Sequence, residues 1–362
     1  MKANYTIVVI VLSFLTLFSS SAGICQTNNA EEEMLFPIKQ NGKEGFIDIS
    51  GNIIIKPQFD EVGFFSEGLA SIKKGDKYGF IDKTGKIVIS PQFDGVGFFS
   101  EGLADVRIGD WTNGKVGFID KTGKFIINPQ FDGAGRFKEG LAYISIGHWS
   151  DSRHGFIDKT GKIVVNPQFD SSFQNYSEGL VSVRTGEKYG YIDKTGKFVI
   201  SPAFDMAGPF INGLACVEID NKWGIIDTYG EYVINPHFDY AYLLCEGLVC
   251  VKIGEKWGFT DMKEQFIVNP QFDETSGNLS EGLICVRIGG KFGSGKYGYV
   301  DKTGTYKINP QFEYAECFYG GLAAVVSNNK FHYINKDGNF VWTGDEIPFF
   351  YATFYNSMKD KE

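Results

Sequence analysis

The sequence has little of what metal, redox and membrane-spanning proteins are built from. Only 4 histidines and 6 cysteines are spread over 362 residues, with no Cys-x-x-Cys pair and no zinc-type spacing. Neither a metal site nor a cofactor is expected. No HExxH, GxSxG or GxxxxGK[ST] string occurs, so no catalytic residue is assigned. Basic residues are the minority, 35 Lys and Arg against 44 Asp and Glu, giving a formal net charge of -9. Binding a phosphate backbone needs clustered cations, so no nucleic-acid partner is expected. Nothing in the stretch from Gly79 to Ile108 carries the 3.6-residue period of an amphipathic helix. Beyond the first 25 residues no run of 18 apolar residues exists, so the mature chain is expected to have no transmembrane segment.

Glycine, phenylalanine and tyrosine are plentiful instead, at 45, 33 and 18 residues. Interior glycine destabilises helices, and a high aromatic content argues against disorder. The composition therefore points to a folded, acidic, turn-rich β protein.

Residues 1–25 read as a signal peptide. Lys2 gives a basic start, an apolar run covers about 7–18, and small residues follow from Ser19 to Gly23. The chain is expected to be exported, to the periplasm, the cell surface or the medium. Cys25 raises a lipid anchor as the lesser alternative, because Ile24 stands where a lipobox takes a small residue. Cys216, Cys250 and Cys285 each occupy one position of a Gly-Leu-x-Cys-Val string. They read as free, partly buried strand residues, with a structural disulfide as the alternative favoured by export.

The rest of the chain is one unit, repeated. Gly45, Gly79, Gly117, Gly155, Gly190, Gly224, Gly258 and Gly298 each open a string like Gly-aromatic-Ile-Asp-Lys-Thr-Gly-Lys, at intervals of 34 to 40 residues. A divergent ninth copy has His332 in that place. Pro-x-Phe and Glu-Gly-Leu recur between them. The unit from Gly79 predicts a strand at Phe80-Ile81, a turn at Asp82–Gly85 and a strand at Lys86–Ile89. Pro91 should interrupt ladder pairing, and 103–108 alternates as a third strand. One such unit cannot bury much surface, so copies must stack and share their aromatic residues. The expected domains are a lead-in at 26–40, a repeat domain at 41–342 and an aromatic cap with a frayed tail at 343–362. The favoured architecture is an all-β array of hairpins forming an open elongated solenoid or superhelix. The alternative is an eight-bladed propeller-like ring, disfavoured because blades usually need four strands and longer repeats.

The units resemble the WG (KWG) β-repeat family. Lys222-Trp223-Gly224-Ile225-Ile226-Asp227 and Lys256-Trp257-Gly258-Phe259-Thr260-Asp261 carry the family string, and Pro-x-Phe-Asp and Glu-Gly-Leu match well. Elsewhere Glu44, Tyr78, Val116, His154, Tyr189, Tyr297 and Phe331 replace the tryptophan. The resemblance covers residues 41 to about 342 and implies a scaffold rather than a chemistry.

The repeated acids read as structural. Asp82, Asp120, Asp158, Asp193, Asp227 and Asp301 should cap their turns, with calcium as the lesser reading. Those after Pro-x-Phe should bond a local bend. What escapes the pattern is three insertions, at 109–114, 147–153 and 289–295, all at one point of the unit and so expected at one edge of the molecule. They carry Trp111, His148, Trp149 and Phe292, which no shared packing rule requires. These four are the candidate ligand or partner contacts. The expected function is a non-enzymatic, monomeric, exported module that binds a protein or glycan partner at the cell envelope. The alternatives are a passive scaffold and, less favoured, a carbohydrate-active enzyme.

Overall fold

The computed structural model describes residues 34–147, 151–173, 175–244, 247–290, 294–352 and 355. The expected signal peptide at 1–25 with Cys25, and also His148, Trp149, Cys245 and Phe292, lie outside these. The described residues form nine antiparallel sheets, one of three strands and eight of four. Blade 1 is Phe36–Gln40, Lys43–Ile47 and Ile53–Phe59. Blade 2 is Glu61–Ser66, Leu69–Lys74, Lys77–Asp82 and Ile87–Phe93. Blades 3 to 9 repeat that order over 95–131, 133–169, 171–204, 206–238, 240–272, 274–312 and 314–344.

Each blade packs its faces against the blades on either side. Phe80, Ile89 and Phe93 of blade 2, for example, form one buried cluster with Phe99, Val106 and Ile119 of blade 3. One aromatic pair recurs at the seams. Phe80–Phe99, Phe118–Phe137, Phe156–Tyr176, Tyr191–Phe210 and Tyr299–Phe318 all have ring centroids 4.7 to 4.9 Å apart. Such pairs add roughly 0.5–1.5 kcal/mol beyond their burial. Core therefore lies between blades, which is why one copy could not fold alone. The first strands sit inside. Ser66 Oγ donates to Phe99 O, and Ser100 Oγ to Phe137 O, both at 2.7 Å, so neighbouring first strands nearly touch. The fourth strands expose alternate residues and form the perimeter.

The unit-opening glycines make the passage between blades possible. In blade 3, Ile127 pairs with Phe118, but the next paired residue is Phe131, opposite Val116. The intervening chain bulges over the face of the third strand. A Cβ on Gly117 would lie 2.5 Å from Ile127 O and 2.6 Å from Pro129 N. In all eight copies the matching carbonyl would be no farther than 2.6 Å. Pro129 has no N–H to lose to the ladder, so it suits a bulge. The chain thus crosses from the outer strand of one blade to the inner strand of the next in a few residues.

The array closes on itself, so the open solenoid is corrected to a ring. The propeller alternative holds, with nine blades rather than eight. Residues 36–59 form a blade together, and the divergent ninth copy is complete. Each full blade also has four strands, not two or three, because the first strand is often only two residues, as at Gly95–Val96. Among the described residues blade 1 has no inner strand of its own, and Glu346 bridges Lys39 at that edge. The Glu346 carboxylate accepts from Gly42 N–H at 3.0 and 3.1 Å. Glu44 is fully buried and accepts from Phe349 N–H at 2.5 Å and Val62 N–H at 2.9 Å. Burial pushes its carboxyl pKa up. Phe36, Ile38 and Ile47 from the start of the chain pack with Phe331, Tyr333, Trp342 and Tyr351 from its end.

Candidate functional site

Most motif residues turn out to hold the ring. Asp82 Oδ1 accepts from Thr84 and Lys86 N–H and from Thr84 Oγ1, the turn cap expected from sequence. The hydroxyl bond holds its pKa below the usual carboxylate range. The acids after Pro-x-Phe do more than bond a bend. Asp94 accepts from Lys77 Nζ of blade 2 at 2.6 Å and from Gly109 N–H of blade 3 at 2.8 Å. It is a strut between blades, and Asp60, Asp205 and Asp239 repeat it.

The Glu-Gly turns form a belt that sequence reading missed. Glu67, Glu101, Glu139, Glu178 and Glu281 sit at φ of 51° to 55°, a strained setting for a side-chain-bearing residue. Glu67 takes Gly102 N–H of the next blade at 3.0 Å, and Glu281 takes Gly321 N–H at 3.0 Å. Lysines of the Asp-Lys-Thr-Gly turns pair with the same carboxylates, as Lys121 with Glu67 and Lys159 with Glu101. The only sequence signal was that glutamate stands where Asn or Gly suits the backbone better.

The opposite face carries the insertions. All three join a second to a third strand, so antiparallel pairing puts them on that one face as expected. They do not gather at one edge of it. Two occupy the neighbouring blades 3 and 4, while the third, the loop containing Phe292, belongs to blade 8 across the ring.

In blade 3 the loop is built around Trp111. Asp110 Oδ1 accepts from Thr112 and Asn113 N–H at 2.7 and 2.8 Å, and Gly114 N–H closes onto Asp110 O at 2.8 Å. Trp111 is 71% exposed. The Arg107 guanidinium lies 5.0 Å from its ring centroid. Arg107 is itself tied to Gly114 O and Asp132 O, each at 2.9 Å. The edge of the indole passes near Gly95, where even an added Cβ would meet it at an ordinary 3.7 Å. Trp111 is therefore held on one side and open on the other.

Beside it in blade 4, His154 Nδ1 bonds the Tyr143 hydroxyl and Nε2 meets Ser152 Oγ at 3.2 Å. Burial pushes the His154 pKa down. Farther round, Trp223 and Trp257 stack against Tyr240 and Tyr242 at 4.4 and 5.4 Å. Cys216, Cys250 and Cys285 are free and buried, and desolvation raises their thiol pKa values. Among the described residues no three His, Cys, Asp or Glu side chains converge as metal ligands, and no helix is long and apolar enough to cross a membrane.

The WG containing repeat family matches eight successive segments: 45–78, 78–110, 117–147, 155–189, 189–223, 223–257, 257–292 and 297–331. A search of curated proteins finds no match in sequence. Among solved structures, that of the eukaryotic initiation factor aligns with a TM-score of 0.59 at 11% identity, over 86% of this chain and 96% of that one. Puromycin hydrolase aligns at 0.37 and 10% identity, over 82% of this chain and 60% of that one. Kluyveromyces lactis Hsv2p aligns at 0.38 and 8%, over 78% and 97%. Identities this low bear on fold alone, and only the first score is high enough for that. The repeat matches run through nearly all of the ring, and on them the chain belongs to the WG containing repeat family.

Proposed function

We propose that this chain is a non-enzymatic, exported binding module that contacts a protein or glycan partner at the cell envelope through its insertion face. The observation that carries the reading is Trp111, 71% exposed on a loop whose backbone is pinned to the Asp110 carboxylate at Thr112 and Asn113. Arg107 holds one face of the ring and leaves the other for a ligand. A rigid, open aromatic gives contact area at little entropic cost, and it stacks well on sugars and protein side chains. His148 and Trp149 of the neighbouring loop belong to the same proposal on sequence grounds, as does Phe292 for a separate contact.

Trp111→Ala tests it. Capture of partners from envelope extract, or binding on a glycan panel, should fall at least tenfold, while the melting temperature stays within about 1 °C, as for surface changes. A melting temperature lowered by several degrees with binding intact would make Trp111 a packing residue and favour the passive scaffold.

A further inference from the structure

The ring supplies its own internal comparison at the inner end of the insertion face. In blade 2, Glu61, Lys73 and Tyr78 lie side by side on the first, second and third strands. The Glu61 carboxylate accepts from Lys73 Nζ at 2.8 Å and from Tyr78 OH at 2.7 Å. Blade 8 repeats this with Glu274, Arg287 and Tyr297. Arg287 Nε and Tyr297 OH donate to Glu274 Oε2 at 2.9 and 2.7 Å.

Blade 5 has the same cation and the same tyrosine, in the same register, without the acid. Ser171, Arg184 and Tyr189 occupy the three positions. Arg184 Nε is buried with no hydrogen-bond partner. The Tyr189 hydroxyl also has none among the described residues. Asp170 is near, but its carboxylate is engaged by Arg153 and by Gly186 N–H at 2.7 Å. A buried donor left unmatched costs stability, and a guanidinium fork suits a carboxylate best.

We propose that blade 5 binds the carboxylate of an acidic sugar, placing it where blades 2 and 8 hold their own glutamate. This rests on the binding reading above and names its ligand class. A glycan is favoured over an acidic peptide because the open Trp111 ring lies on the same face two blades away, and Ser171 and Ser152 add hydroxyls for sugar contacts. A chain of uronate residues can engage both.

The test is titration calorimetry with an oligogalacturonate and with its neutral methyl ester. The protein should bind the acid and prefer it to the ester roughly tenfold or more. Arg184→Gln should lose about that preference, and Tyr189→Phe a smaller part of it. Ser171→Glu is the decisive variant, because it rebuilds the arrangement of blades 2 and 8. It should abolish uronate binding without lowering the melting temperature. No binding of the acid, equal binding of acid and ester, or undiminished binding by Ser171→Glu would each overturn the proposal. Capture of an acidic peptide in place of the uronate would overturn the sugar assignment. Absence of uronate binding together with neutral glycan binding that Trp111→Ala abolishes would sink this inference and leave the broader one standing.

Discussion

The crossover glycine gives the sharpest stability prediction. Gly117 has an ordinary backbone angle, so alanine there brings no strain of its own. The trouble is space. The added Cβ would sit 2.5 Å from Ile127 O and 2.8 Å from Asn128 C, while ordinary contact starts near 3.4 Å. The carbonyl must withdraw by about 0.9 Å. It belongs to backbone, and the proline two residues on cannot rotate about φ to help. Overpacking of side chains costs roughly 1–3 kcal/mol, and a rigid backbone obstacle belongs at the upper end. Gly117→Ala should therefore lose about 3 kcal/mol, or about 5 °C in melting temperature for a chain this long. Gly208→Ala is the control, since its Cβ would meet only Cys216 O at 3.3 Å and its φ is also ordinary. It should cost well under about 1 kcal/mol. Urea unfolding followed by circular dichroism reads both. Equal losses in the two variants would mean that the crossover is not what requires glycine.

Two further predictions concern buried groups. Glu316, on the inner side of blade 9, bonds the Tyr314 hydroxyl, and desolvation raises its carboxyl pKa from 4.5 to about 8. Because the folded value is the higher one, ionisation opposes folding as pH rises from about 4.5 to about 8. Glu316→Gln should then raise the unfolding free energy at pH 9 by on the order of 2 kcal/mol given partial wetting, and do little at pH 4.5; an equal change at both values would refute it. Cys216 is buried with its thiol pushed up to about 12, so a thiol reagent at pH 8 should label it only at the rate of unfolding. Labelling in seconds under native conditions would contradict that burial.

The repeat made much of this legible in advance. Asp82 and its equivalents cap turns as read, because a carboxylate two residues before an N–H acts locally and needs no tertiary context. The alternation at 103–108 gave a strand for the same reason. The inner strand Gly95–Val96 escaped, since two residues show no period. Pro91 interrupts its ladder as expected, since no residue between Ile89 and Phe93 is paired, but the strand carries on through the bulge to Phe93. Ring against solenoid turns on a small rotation per unit, which no single residue encodes. Of the candidate site, Trp111 stood out as a residue the repeat did not need. Arg184 did not, because its meaning depends on a glutamate that Ser171 replaces, visible only once the strands are in register.

The seam between blades 9 and 1 has a kinetic consequence. Gly42 and Glu346 are 304 residues apart, whereas contacts such as Glu67 to Gly102 span 35. For a flexible chain the longer closure would cost roughly 2 kcal/mol more in entropy. An arc of folded blades removes most of that cost by bringing its two ends together. Every other seam can form while the chain is still incomplete, but this one must wait for the last residues to be made. Until then the arc presents two unmatched aromatic edges, each complementary to the other. A chain cut short before Glu346 would keep both, and the mate for each would be another copy of itself.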